Sequence, residues 1–209
     1  RRMVALVRQT PWLRLLDVAA GTGDISLRVI KAGLTAQQTV VVSDICPAML
    51  SIAQQRAQVA GVPAEQVQFQ VLDAHHAPSV PDNSVDCYTM SLGLKICDRQ
   101  RAIAEALRVL QPGGRLLTLE ASNISWGWLQ RAYLAYMRLC MPLVGRLATG
   151  GDSSAYLYLL QGITVFPTAE QLALEMEQIG FERVTFERLS LGIVAIHSAY
   201  KPREPSAGG

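Results

Sequence analysis

Gly21, Thr22, Gly23 and Asp24 close an apolar run that begins at Leu13, and Asp44 closes a second one, Val40-Val41-Val42-Ser43. Glycine, with no Cβ, lets backbone bend sharply and lie against a ligand. Thr22 adds a hydroxyl at the bend, and Asp24 suits a helix start. A carboxylate about 20 residues beyond such glycines is placed to accept from ribose hydroxyls. Each charge-assisted bond of that kind contributes roughly 1.5–3 kcal/mol. A third acid, Asp73, follows the alternating run Val67-Gln68-Phe69-Gln70-Val71 and leads into Ala74. There a carboxylate can accept from the exocyclic amine of adenine. The dinucleotide fingerprint asks for a third glycine where Ser26 stands, and Asp24 is a poor neighbour for a pyrophosphate. A nucleoside carrying positive charge fits better, which points to S-adenosylmethionine, a sulfonium.

A tight strand-to-helix turn needs glycine whatever it binds, so the paired runs carry this reading and the glycines alone do not. The elements around them follow a regular order. Leu13 to Val18 reads as a strand, Ile25 to Ala32 as a helix stopped by Gly33, and Val40 to Ser43 as the next strand. A helix led by Pro47 runs to Ala60 and ends at Gly61. Val85 to Ser91 is a near-continuous apolar strand of the kind covered on both faces. Arg99 to Leu110 has apolar residues at Ala102, Ile103, Ala106, Leu107 and Leu110, a 3.6 period. Gln111-Pro112-Gly113-Gly114 ends that helix and Arg115 to Glu120 is a strand. Such alternation predicts an α/β fold with a parallel sheet and right-handed crossovers.

Past Leu119 the alternation stops. Trp126 to Ala148 reads as a helix-rich insertion with Trp126, Trp128, Tyr133 and Tyr136, and with Arg131 and Arg138 on one face. Two readings stand open: a helix packed over the sheet, or an amphipathic lid that rests on a membrane or covers an apolar substrate. Ala169 to Ile179 is a helix ending at Gly180. Val184 to Leu189 and Ile193 to Tyr200 read as an antiparallel pair closing the sheet.

The size of 209 residues fits one domain, and a half-hydrophobic composition fits a packed core. A net charge of +2 without a basic run gives no footprint for nucleic acid. Cys46, Cys87, Cys97 and Cys140 form no CxxC pair, which fits buried thiols in a reducing compartment. His75, His76 and His197 have no metal-ligand spacing, and no metal is expected. No apolar run reaches the ~18 residues of a spanning helix. The start at Arg1-Arg2-Met3 is compatible with a processed or truncated end and leaves the compartment open.

The chain resembles the ubiquinone/menaquinone C-methyltransferase family over most of its length. The stretches that carry this are Leu16-Asp-Val-Ala-Ala-Gly-Thr-Gly-Asp24, Asp44-Ile-Cys-Pro-Ala-Met-Leu50, Pro81-Asp-Asn-Ser-Val-Asp-Cys87 and Arg108-Val-Leu-Gln-Pro-Gly-Gly-Arg115. Leu119-Glu-Ala-Ser122 and Gly192-Ile-Val-Ala-Ile-His-Ser198 complete the set. The glycine turn and Pro-Gly-Gly are shared by many class I methyltransferases, whereas the last stretch is narrow to this family. The resemblance implies a single Rossmann-like class I methyltransferase domain over residues 1–200. Its sheet has seven strands, mostly parallel, with an antiparallel last strand, a helical lid insertion at about 123–162 and a tail at 201–209. It implies S-adenosylmethionine held by Gly21, Thr22, Gly23, Asp44, Asp73, Ala74 and Ser91. It also implies methyl transfer to a ring carbon of a polyprenyl quinol, with no metal. Where the family commonly shows Phe-Gly-x-Arg-Asn, this chain has Leu92-Gly-Leu-Lys95-Ile, so Lys95 falls on the catalytic arginine and the asparagine is gone. Ala20 replaces a glycine, and Gln161 to Val165 replaces a Glu-Ser-Ile-Arg-Arg type segment.

The expected activity is thus C-methylation of a polyprenyl benzoquinol or demethylmenaquinol in quinone biosynthesis. One rival is a methyltransferase of the same fold acting on another small aromatic or lipid acceptor. A second is a low-activity cofactor-binding subunit of a quinone-synthesis complex. The expected partners are a prenylated quinol, a membrane surface, and a second copy or a quinone-synthesis complex. The expected location is cytoplasmic and peripheral to a membrane, or mitochondrial or plastid in a eukaryote.

Overall fold

The computed structural model describes residues 1–122, 135 and 166–203. Seven strands form one sheet in the order β3-β2-β1-β4-β5-β7-β6. They are β1 Arg14–Val18, β2 Thr39–Asp44, β3 Val67–Val71, β4 Val85–Ser91, β5 Leu110–Ala121, β6 Glu182–Leu189 and β7 Val194–Tyr200. Strands β1 to β5 pair in parallel, while β7 runs antiparallel to both β5 and β6. The described helices are α1 Arg2–Val7, α2 Asp24–Lys31, α3 Pro47–Val59, α4 Arg99–Val109 and α5 Ala169–Ile179. The seven-stranded sheet with its antiparallel last strand is the expected one. Apart from residue 135, the expected lid insertion at about 123–162 lies outside the described residues, as do 204–209 of the tail.

Period-2 alternation sorts the apolar strands onto two covered faces. Leu16, Tyr88, Met90 and Leu116 pack with Ile103, Leu172 and Met176 on the side of α4 and α5. Leu15, Val40, Val42, Cys87 and Leu117 pack with Met3, Val29 and Leu50 on the other. Fully burying one such side chain stabilises by roughly 1.5–3 kcal/mol. The chain leaves β1 toward β2 on one side and reaches β4 on the other. The crevice at the carboxyl ends of β1 and β4 is therefore the switch point where open α/β sheets bind ligands.

Two features depart from the pattern read in sequence. Helix α1 is too short at six residues to show a period, yet Met3, Leu6 and Val7 are buried. The buried Arg115 side chain holds it down by donating to the Leu6 carbonyl at 2.8 Å and to Thr10 Oγ1 at 2.9 Å. The last central strand also begins earlier, with Leu110 opposite Val85 and Arg115 opposite Cys87, so Gln111–Gly114 bulge out between two paired positions.

Candidate active site

Beyond the carboxyl ends of β1, β2 and β4 lies a cavity of about 450 Å³, within the range of small-molecule sites. Three strand ends build its rim: Ala19 and Gly21 after β1, Asp44 to Cys46 after β2, and Asp73 to His75 after β3. Leu92, Gly93, Ile96 and Cys97, after β4, complete it. The turn after β1 is forced into a left-handed path at Ala19 (φ +51), Gly21 (φ +55) and Gly23 (φ +77). Ala20, where the resemblance expects glycine, stays out of that region. Ala19 and Leu92 (φ +59) are left-handed without being glycine, which costs roughly 1–2 kcal/mol each. Both line the cavity, where such strain concentrates. Gly93 is required for contact: a Cβ there would stand 2.8 Å from that of Ala19.

Asp44 locks the rim together. Its Oδ2 accepts from the Gly21 N–H, 23 residues earlier, at 2.7 Å, and its Oδ1 accepts from the Cys46 N–H at 2.9 Å. The carboxylate is thereby oriented, with lone pairs left for a ligand. Asp73 Oδ1 accepts from the His75 N–H at 2.9 Å and lies 2.8 Å from His75 Nδ1. His75 Nε2 in turn accepts from the Asp98 N–H at 2.8 Å, so the ring's hydrogen sits on Nδ1 and is donated to Asp73. The backbone bond from His75, ahead of its ring, holds the Asp73 carboxyl below the usual carboxylate range.

Beneath the turn, Asp17 is buried and accepts from Ser26 Oγ at 2.5 Å and Thr89 Oγ1 at 2.7 Å. It ties β1, α2 and β4 together under the crevice. Burial, opposed by those two hydroxyls, pushes its carboxyl from 3.8 up to about 6.

Of the residues expected to hold a cofactor, Gly21, Asp44, Asp73 and Ala74 line this cavity. Thr22, Gly23 and Ser91 do not. Thr22 is turned to Arg56, whose guanidinium donates to its carbonyl at 2.7 Å and its hydroxyl at 2.8 Å. Gly23 caps α2, and Ser91 ends β4 just before Leu92. Lys95 sits in a short 3-10 turn, Leu94–Ile96, beside the cavity and not on its wall. Asp24 faces away, into the groove between α2 and α3, paired with Arg28 at 2.8 Å and Arg56 at 3.4 Å. Its charge is answered there, so the anion discrimination read from it in sequence falls to Asp44 and Asp73.

Sequence reading missed His75, whose place two residues after Asp73 was the available signal. It also missed the apolar wall of Ile45, in the turn after β2, and Met49, in the first turn of α3. Among the described residues neither lysine nor arginine lines the cavity. Among the described residues no group of three or more His, Cys, Asp or Glu is placed to hold a metal ion. Nor is any described helix long and apolar enough to cross a membrane.

The model of the ubiE/COQ5 methyltransferase family matches residues 2–201. A ubiquinone/menaquinone biosynthesis C-methyltransferase from Methylobacterium nodulans is 44% identical over 191 residues, covering 90% of this chain and 73% of the relative. Among solved structures, the [4+2]-cyclase SpnF superposes with a TM-score of 0.70 at 24% identity, over 97% of this chain and 82% of its own. Haemonchus contortus phosphoethanolamine N-methyltransferase 2, in complex with S-adenosylmethionine, superposes with a TM-score of 0.66 at 15% identity, over 97% of this chain and 52% of its own. These structural likenesses speak for the fold alone.

Proposed function

We propose, from the premise that this chain belongs to the ubiE/COQ5 methyltransferase family, that the cavity binds S-adenosylmethionine and serves methyl transfer to a ring carbon of a prenylated quinol. The chain is an S-adenosylmethionine-dependent methyltransferase of quinone biosynthesis; the acceptor and the role of each side chain are our reading. One observation carries it: two carboxylates and an apolar wall line the cavity, and among the described residues no lysine or arginine does. Such a lining favours a cationic nucleoside over a pyrophosphate. When bound, S-adenosylmethionine supplies an electrophilic methyl on sulfur.

The chain's own groups do the rest by holding and orienting. Asp44, oriented by Gly21 and Cys46, accepts from the ribose hydroxyls, and Asp73, oriented by His75, accepts from the adenine amine. Gly21 and Ala74 allow close approach, and Ile45 and Met49 cover apolar surface. Thr22, Gly23 and Ser91 act from behind this wall. On this reading Lys95, aligned with the family's arginine, serves the acceptor, where a cation stabilises the ring oxygen as it loses its proton and pushes charge to the carbon that accepts the methyl. Proximity and electrostatics suffice for such a displacement. A prenylated acceptor resides in lipid, so peripheral contact with a bilayer belongs to the same reading.

A bacterial strain lacking its own quinone C-methyltransferase tests this. Expression of this chain should convert the accumulated demethyl precursor to methylated quinone. An unchanged precursor pool, with the protein present and folded, would move the reading to another acceptor or to a cofactor-binding subunit.

A further inference from the structure

Glu120, near the end of β5, is almost fully buried and faces the segment that follows β4. Its Oε1 accepts from the Leu94 N–H at 2.8 Å, with the Gly93 backbone as a second contact. Its Oε2 is buried and without a hydrogen-bond partner among the described residues. On the far side, Gly93 presses against Ala19 so closely that no Cβ fits between them. The turn from Gly93 to Lys95 is therefore wedged between the first glycine-rich turn and one carboxylate. Gly93 and Ile96 line the cofactor cavity, and Lys95 lies between them in sequence.

We propose that Glu120 is the positioning residue of this site: its charged carboxylate holds the Gly93–Lys95 turn against Ala19, and so sets one wall of the cavity and the place of Lys95. Burying a carboxylate is destabilising unless it is hydrogen-bonded, and Glu120 takes its bond from the Leu94 N–H, on a face it shares with buried Thr118, Ser122 and His197. A charged acceptor binds a backbone N–H about twice as strongly as a neutral one. Protonation of Glu120 thus loosens the turn without removing any atom. Burial, partly offset by the bonds from Leu94 and Gly93 and by the Lys95 charge, lifts its carboxyl from 4.5 to about 7. The site should accordingly loosen in acid.

Among the described residues, the charged and titratable groups on the side of Glu120 are Lys95 and Cys97 from the turn segment and His197 from β7 on the same sheet face. Burial raises the Cys97 thiol above its ordinary value and lowers the His197 imidazole below its own, each toward the neutral form. His75 lines the same cavity, accepts from the Asp98 N–H, and is present in both the wild type and a Glu120 variant.

The inference rests on the cavity being the cofactor site, and S-adenosylhomocysteine is the probe. Calorimetry with the wild type and Glu120→Gln at pH 6 and pH 8 compares their affinity ratios. The wild-type gain in affinity from pH 6 to pH 8 should exceed that of the variant by about fivefold, the difference between a charged and a neutral acceptor. Equal ratios in the two proteins would overturn this inference alone. No binding by the wild type at either pH would overturn the cofactor reading, and this inference with it. Because Glu120→Gln can fail to fold, the wild-type Leu94 amide resonance gives a second reading. It should titrate with a midpoint near 7; an amide flat from pH 6 to pH 8 would show that the carboxylate does not hold the turn by its charge.

Discussion

Asp17→Asn should alter the pH dependence of stability in a direction fixed by the fold. In the native state burial raises the Asp17 carboxyl from 3.8 to about 6. Below the lower value both folded and unfolded chains are protonated and the group is neutral in its effect. Above the higher value both are ionised, and the folded state carries the whole cost of a buried charge, about 3 kcal/mol at 1.36 kcal/mol per unit. Stability is therefore lost as pH rises through that window. Between pH 5 and pH 8, Asp17 accounts for roughly 1–1.5 kcal/mol of that loss. Asparagine keeps the shape and one acceptor oxygen, so either Ser26 or Thr89 retains its bond. The other hydroxyl must turn and accept, at a cost of about 1 kcal/mol. Urea denaturation at pH 5 and pH 8 reads the outcome. The drop in unfolding free energy from pH 5 to pH 8 should be smaller in Asp17→Asn than in the wild type by roughly 1–1.5 kcal/mol. An identical drop in both proteins would refute the burial argument, because the carboxylate would then be solvated or paired in the native state.

Other outcomes follow from the rim of the cavity. Asp44→Ala should weaken S-adenosylhomocysteine binding by about one to two powers of ten, through lost charge-assisted bonds; unchanged affinity in a folded variant would remove Asp44 from the ribose. Asp73→Asn should cost less than Asp44→Ala, since the amide can still present its carbonyl, and normal binding by Asp73→Ala would contradict the adenine assignment. Lys95→Met should lower kcat and kcat/KM together by roughly 10²-fold while cofactor affinity barely moves. Normal turnover of that variant would assign the proton another route.

The strand ends were legible in sequence because the first run stops at a glycine turn and the next two lead into an acid, and Asp44 and Asp73 occupy the cavity rim where those runs put them. Sheet order explains what was not legible. Glu120 and Leu94 lie 26 residues apart and meet only because β4 and β5 are neighbours. Asp24 and Arg56, 32 residues apart, meet because α2 and α3 pack on one face of the sheet. Asp24 read alone was an uncompensated charge beside the turn; with Arg28 and Arg56 it becomes a surface pair facing elsewhere. Thr22 likewise looked like a ligand hydroxyl until Arg56 reached it. Helix α1 gave no pattern, being shorter than the two turns that a helical period needs to show.

S-adenosylmethionine carrying a ¹³C methyl, incubated with this protein and a short-tailed demethylquinol kept reduced, gives a product whose label can be placed by NMR. The account predicts one labelled methyl on a ring carbon, formed in equal amount with S-adenosylhomocysteine. Label on a ring oxygen, or S-adenosylmethionine bound and unconsumed with no labelled product, would contradict it.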